Sequence, residues 1–352
     1  MSGTVPYFNK KRPWEKDRPR CRLADSLPLD TPFSVQIDPS NICNFRCLFC
    51  PTGHPDLIRQ VGRSKSRLMS WDLYEKLISD LAAFPRPLKT LSLHKDGEPL
   101  LNPRIAEMVS LARKRDVADK IIILTNASLL TREMSRALIE AGLDVIRISV
   151  EHVSSEGYRK FTQVYDDYDR IVRNVRMLRE ERDRLQSGLF ISAKLIDFGL
   201  SPDELSIFER DFSASCDEIS RTNAQGWSYS EIFDFTLGSD PTVSLDGKTS
   251  LSSGRIACPF PFYTMAVNSN GRVSTCPDDW THNTLTGEAS AESLQDIWNG
   301  PRLHEFRMMH LSGNRTQNKA CANCRCIQGI PDDSDLDSNL DRLLDLFAGD
   351  KP

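Results

Sequence analysis

The chain has 352 residues, with 45 Lys and Arg against 49 Asp and Glu, a formal net charge of −4 at pH 7. That balance leaves no global field to recruit nucleic acid, and 39% hydrophobic with 27% charged residues describes an ordinary globular protein rather than a disordered one. No apolar run reaches membrane-spanning length and no apolar signal core follows Met1, so the sequence predicts a cytoplasmic protein without a membrane or nucleic-acid partner. There, ten cysteines serve metals or catalysis rather than disulfides.

Residues 1–22 carry Lys10, Lys11, Arg12, Lys16, Arg18, Arg20 and Arg22 against Glu15 and Asp17. Such a stretch could hold a phosphate-bearing group, but a solvated extension partly wrapped on the fold is the simpler reading. A first strand is expected over Phe33–Ile37. It leads into Asn41-Ile42-Cys43-Asn44-Phe45-Arg46-Cys47-Leu48-Phe49-Cys50-Pro51. The spacing C-x3-C-x2-C gives three thiolates from one short loop, whereas a closed four-iron cluster uses four. One iron is then left open to another ligand. Structural zinc is the alternative, with His54 as the nearest fourth ligand, although zinc ribbons favour paired C-x2-C knuckles.

With Phe49 just before the last cysteine, the run resembles the signature of the radical S-adenosylmethionine (radical SAM) enzymes. The resemblance implies that Cys43, Cys47 and Cys50 hold a [4Fe–4S] cluster whose open iron is chelated by the amine and carboxylate of SAM. An electron from a flavodoxin- or ferredoxin-type donor then cleaves SAM to methionine and a 5′-deoxyadenosyl radical. Phe49 is expected near the adenine.

From Phe33 to Asn223 strand-like and helix-like patterns alternate. Further strands are predicted over Leu88–His94, Lys120–Thr125, Val145–Val150, Leu189–Leu195 and Glu218–Arg221, with helices near Trp71–Phe84, Arg104–Arg115, Thr131–Ala141, Tyr168–Arg184 and Pro202–Asp211. This alternation predicts an α/β fold with a parallel sheet and helices outside it. Six repeats suit the open partial (β/α)6 barrel that the resemblance implies. Its site candidates lie at the C-terminal strand ends, by analogy with closed barrels.

After the second strand comes His94-Lys95-Asp96-Gly97-Glu98-Pro99-Leu100-Leu101-Asn102-Pro103. Gly97 allows close backbone approach, Pro99 fixes the exit direction, and Glu98 can anchor the turn or a ligand's ammonium. The run is similar to the family's Gly-Gly-Glu-Pro motif, with Asp96 in place of its first glycine. Asn126 ends the third strand, Ser149 and Glu151 the fourth, Lys194 lies in the fifth and Asn223 follows the sixth. The resemblance implies that Asp96, Gly97, Glu98, Asn126, Ser149, Lys194 and Asn223 contact SAM. Candidate bases near strand ends are His94, Lys95, Glu151, His152 and Arg221, each of which could equally be an ordinary structural residue.

Beyond residue 250 a β-hairpin is predicted around Asn270-Gly271, between Thr264–Asn268 and Arg272–Thr275. Cys258 precedes it, Cys276 follows it, and Cys321-Ala322-Asn323-Cys324-Arg325-Cys326 arrives later. This layout, with Glu292–Asn299, resembles the SPASM or twitch extensions of radical SAM enzymes. Five cysteines imply one auxiliary [4Fe–4S] cluster held by Cys258, Cys276, Cys321 and Cys324, with Cys326 spare or substituting. Zinc remains the alternative there too. Cys21 and Cys216 are isolated and ordinary.

The expected organisation is an N-terminal extension (1–30), a radical SAM partial barrel (31–250), a SPASM/twitch domain (251–330) and a C-terminal tail (331–352). In the tail Leu336, Leu340, Leu343, Leu344 and Phe347 recur at the spacing of a docking amphipathic helix. The short extension resembles that of 2-deoxy-scyllo-inosamine dehydrogenases, which implies oxidation of a carbinol in a small hydroxyl-rich substrate. Epimerisation with Cys326 as hydrogen donor, peptide maturation, and a non-catalytic iron–sulfur or zinc scaffold are the alternatives.

Overall fold

The computed structural model describes residues 21–63, 67–224, 226–228, 230–244 and 249–349, so the basic run Lys10–Arg20 lies outside the described residues. Strands alternate with helices through the first two thirds of the chain. They are β1 (Ser34–Ile37), β2 (Thr90–Leu93), β3 (Ile121–Thr125), β4 (Val145–Val150), β5 (Phe190–Asp197) and β6 (Glu218–Asn223). All neighbours are parallel, in the order β6-β5-β4-β3-β2-β1. The near-continuous apolar run of β3, Ile121-Ile122-Ile123-Leu124, suits a strand covered on both faces. The helix Trp71–Ala82 buries Tyr74, Leu77, Ile78 and Leu81, the i, i+3, i+4, i+7 stripe of a helix lying on a sheet. Ser70 caps it by accepting from the Leu73 amide. Ser201 and Glu204 form a reciprocal capping box at the start of Pro202–Phe212.

The predicted hairpin forms, but it is not a separate layer. Its first strand, β7 (Thr264–Val267), pairs in parallel with β1. Then β8 (Arg272–Ser274) and β9 (Leu285–Glu288) continue antiparallel, giving one nine-stranded sheet. Gly271 turns the hairpin at φ +90°, a conformation that disfavours any side chain. The core is continuous across this join: Val35 and Ile37 of β1 share one apolar cluster with Met265, Val267, Val273, Leu294, Ile297 and Trp298.

The tail folds as expected. The helix Leu340–Gly349 buries Leu343 and Phe347, and the preceding Leu336 joins them against Leu23, Leu27 and Phe262. Phe347 meets the Phe262 ring edge-on at 5.4 Å. Burying such a ring contributes about 2 kcal/mol.

Candidate active site

The cysteine loop leaves the C-terminal end of β1 and is braced by backbone from elsewhere. The Arg46 and Leu48 amides donate to the Thr162 and Phe161 carbonyls, at 3.0 and 2.9 Å. Those carbonyls end the short helix Ser155–Thr162, an element the sequence pattern did not predict. From the other side, the Glu98 amide donates to the Ile42 carbonyl at 2.8 Å. A Cβ at Gly97 would lie 2.2 Å from the Ser40 and Ile42 carbonyl oxygens, so only glycine admits this approach.

A closed ring of side chains supports the first cysteine. Asn126 Nδ2 donates to Asn44 Oδ1 (3.0 Å), Asn44 Nδ2 donates to the Ser128 hydroxyl (2.8 Å), and that hydroxyl donates to Asn126 Oδ1 (2.7 Å). Asn126 Nδ2 also points at Cys43 Sγ, 4.0 Å away. Glu98 is buried and accepts from Leu100 N (3.0 Å), Thr125 Oγ1 (2.7 Å) and Asn126 N (2.9 Å). Burial nonetheless pushes its carboxyl up to about 7. His54 is used structurally: its Nε2 bonds to the Leu48 carbonyl at 2.7 Å and its ring packs on Phe233. Phe49 packs on Phe198, and its carbonyl accepts from Trp227 Nε1 at 3.0 Å.

The barrel mouth holds a dense set of buried charges. Asp96 pairs with Lys95 (2.8 Å), with Arg63, and with His282 of the β8–β9 loop (3.6 Å). Its amide donates to Asp38 Oδ1 at 3.3 Å, while Asp38 Oδ2 is buried without a partner. Burial, then the neighbouring Asp96 charge, pushes Asp38 up to about 7, while Lys95 and Arg63 hold Asp96 well below the carboxylate range. Arg63 also donates to the Trp280 carbonyl. These groups therefore tie the barrel to the segment after Cys276.

Register places Ser149 of β4 beside Lys194 of β5. Ser149 hydrogen-bonds to Glu151, whose carboxyl is raised by burial and whose Oε2 has no partner. Burial pulls the Lys194 ammonium down, opposed by Glu151, and its other ionisable neighbours include Arg147, Cys50 and Asp278. His94 accepts from Leu124 N at Nδ1 (3.2 Å), and burial holds it down at about 3, so it is neutral with its proton on Nε2. Of the remaining strand-end residues, His152 lies between Ser154 (3.2 Å) and Glu204 (3.3 Å). Arg221, exposed, pairs with Asp197 at 3.3 Å. Asn223 Nδ2 donates to the Ser244 carbonyl at 3.0 Å.

Cys258, Cys276, Cys321, Cys324 and Cys326 line one pocket, with Cys258 and Cys276 at the two feet of the hairpin as expected. The Cys326 thiol donates to the Gly226 carbonyl at 3.3 Å and sits beside Cys324 and half-buried Asp278. Cys21 is exposed and Cys216 is buried in the barrel core, both outside these sets.

Both cysteine sets fit iron–sulfur centres by their donor chemistry. Burial first, with nearby Glu98, pushes the Cys43 thiol up to about 12, and burial with Glu151 and the neighbouring sulfurs raises Cys47 further. Cys258 and Cys276 are raised for the same reason, burial followed by neighbouring negative groups. Buried thiols crowded this way become thiolates only with a cationic centre between them. The sequence missed Asp38, Arg63, His282, Asn44, Ser128 and His310. Asp278, two residues after Cys276, was open to suspicion from its position alone.

Residues 37–191 match the radical SAM superfamily, and residues 258–325 match the iron–sulfur cluster-binding domain SPASM. The chain is 35% identical over 109 residues to the tungsten-containing aldehyde ferredoxin oxidoreductase cofactor-modifying protein of Pyrococcus furiosus, covering 31% of this chain and 28% of that protein. It spans less than half the length of the curated relatives it matches first. Among solved structures it resembles BtrN in complex with AdoMet and 2-DOIA, with TM-score 0.52 and 18% identity over 83% of this chain and 92% of that one. It also resembles Streptococcus suis SuiB bound to precursor peptide SuiA, with TM-score 0.61 and 17% identity over 87% and 72%. At such identities these likenesses show the fold alone. With both domain matches on one continuous sheet and a cysteine set in each, the chain carries a radical SAM domain followed by a SPASM iron–sulfur cluster-binding domain.

Proposed function

We propose that this radical SAM enzyme oxidises a secondary alcohol of a small hydroxylated molecule, an aminocyclitol or sugar, to a ketone. Cys43, Cys47 and Cys50 would hold the SAM-binding [4Fe–4S] cluster within the barrel (31–250). Cys258, Cys276, Cys321 and Cys324 would hold one auxiliary cluster in the segment 251–330. When bound, SAM and the two clusters supply a radical that takes a hydrogen atom from the carbinol carbon and an acceptor for the second electron. The observation that carries this reading is the position of Lys194. Its ionisable neighbours include Glu151 and Cys50, a member of the first cysteine set, and Asp278, two residues from Cys276 of the second. A substrate held there by hydroxyl or amino groups lies between the two centres.

The third product, the hydroxyl proton, goes to Glu151. Hydrogen atom, proton and electron together account for the two hydrogens lost. Among the strand-end candidates, His94 already accepts at Nδ1, Lys95 is paired with Asp96, Arg221 with Asp197, and His152 with Ser154 and Glu204. Glu151 alone of these five has a buried polar side-chain atom, its Oε2, without a hydrogen-bond partner. Glu98, Asn126, Ser149 and Lys194 serve SAM, directly or by shaping its cradle, with Phe49 toward the adenine.

One observation favours a second reading, epimerisation: the Cys326 thiol sits beside Asp278, facing the same charged region, where it could return a hydrogen atom. Mass analysis of products from a panel of cyclitols, sugars and peptides tests the reading. Loss of two hydrogens from a small alcohol supports it, and a cross-linked peptide with alcohols untouched overturns it.

A further inference from the structure

His310 is fully buried on the helix Pro301–Leu311 and lines the pocket of the second cysteine set. Its two ring nitrogens have different partners. Nδ1 accepts from the Cys258 amide at 3.1 Å, and Nε2 lies 3.8 Å from Cys321 Sγ. An imidazole nitrogen that accepts from an amide must present its lone pair, so the single proton of the neutral ring is on Nε2. That proton points at the Cys321 sulfur. Beside it, Arg315, past the end of the helix, donates to the Cys321 carbonyl, and Phe306, one turn earlier on the same helix, packs 5.0 Å from the imidazole.

We propose that His310 is a positioning residue that bridges two cysteines of the auxiliary centre and, through an N–H···S bond to Cys321, raises that cluster's reduction potential so that it accepts an electron. The inference rests on the reading that Cys258 and Cys321 are ligands of that cluster. The physical basis is general: a donor aimed at a ligand sulfur stabilises the more negatively charged, reduced cluster, and hydrogen bonds to the sulfurs are among the main determinants of iron–sulfur potentials. A ring held at both nitrogens also fixes the donor direction.

The test uses the full chain carrying Cys43→Ala, Cys47→Ala and Cys50→Ala, so that only the auxiliary centre is reconstituted, and measures its midpoint potential by EPR-monitored titration with iron and sulfide counted in the same samples. His310→Phe should keep the iron and shift the one-electron reduction equilibrium roughly tenfold toward the oxidised cluster, about 59 mV. His310→Gln, which can place an amide N–H near the Nε2 position, should stay close to the parent. An unchanged potential in an iron-replete His310→Phe protein overturns the inference. So does loss of the cluster from both variants, which would make His310 a ligand or a fold element instead. A parent that binds no auxiliary iron overturns the cluster reading itself, and the iron count separates that failure from the others.

Discussion

Glu98 and Asn126 lock the ends of β2 and β3 together behind the cysteine loop. The Asn126 amide donates to Glu98 Oε2 at 2.9 Å, and the Asn126 side chain reaches Asn44 and Cys43. Both oxygens of this carboxylate are engaged by the chain itself. Glu98→Ala strands three buried donors, each costing about 1 kcal/mol or more. It should lower unfolding free energy by roughly 3 kcal/mol and weaken SAM binding while iron at both centres is retained. Chemical denaturation and equilibrium SAM binding measure the two effects. Unchanged SAM affinity would assign Glu98 to the turn alone.

Glu151→Gln removes the proposed proton acceptor and keeps the shape of the side chain. Ketone formation should fall by about 100-fold or more, the usual scale of a lost general base, while reductive SAM cleavage continues. Parallel quantification of 5′-deoxyadenosine and ketone reads the uncoupling. A variant that makes ketone at the parent rate would remove Glu151 from the chemistry.

Asp38 gives the pH dependence. Burial and the Asp96 charge push its folded-state value from 3.8 up to about 7, so the folded protein keeps a proton there that the unfolded chain loses. The stabilising contribution is complete below the ordinary carboxylate value and is lost as pH rises through about 7. Asp96, held low by Lys95 and Arg63, acts in the opposite direction and only in acid, below 3.8. Asp38→Asn should therefore flatten the stability profile between pH 5 and 8, by roughly 2 to 4 kcal/mol across the window. Denaturant unfolding at several pH values measures it, and identical slopes for parent and variant would contradict the assignment.

Sequence reading reached furthest where the chemistry is local. Cys43, Cys47 and Cys50 lie within eight positions, and Gly97-Glu98 within two, so spacing alone exposed them. The six strands and the five longer helices of the barrel were legible through their apolar periodicity, within two residues of their observed bounds, while the short helix Pro55–Gln60 was not predicted. The helix Ser155–Thr162 escaped because it is short and Gly157 interrupts its pattern. β9 escaped because Leu285-Thr286-Gly287-Glu288 has no alternation. Nothing local announces that β7 pairs with β1, more than two hundred residues earlier. The Asp38–Asp96–Arg63–His282 set is invisible for the same reason: common residue types, assembled from four separate segments. No local pattern singles out His310; only the fold places it between Cys258 and Cys321.

Cys326 separates oxidation from epimerisation. Its thiol hydrogen exchanges with solvent, so an epimerase run in heavy water puts deuterium on the inverted carbon. That label should vanish in Cys326→Ala at constant iron. The dehydrogenase reading predicts a product two hydrogens lighter with no carbon-bound deuterium, and Cys326→Ala retaining that outcome.

Anaerobic reconstitution followed by reduction with SAM tests the central claim most directly. The intact chain should bind about eight irons, two four-iron centres, and release 5′-deoxyadenosine. The protein with Cys43, Cys47 and Cys50 all changed to alanine should keep about four irons and release none. Continued SAM cleavage by that variant, or a chain that takes up zinc and no iron, would contradict the account.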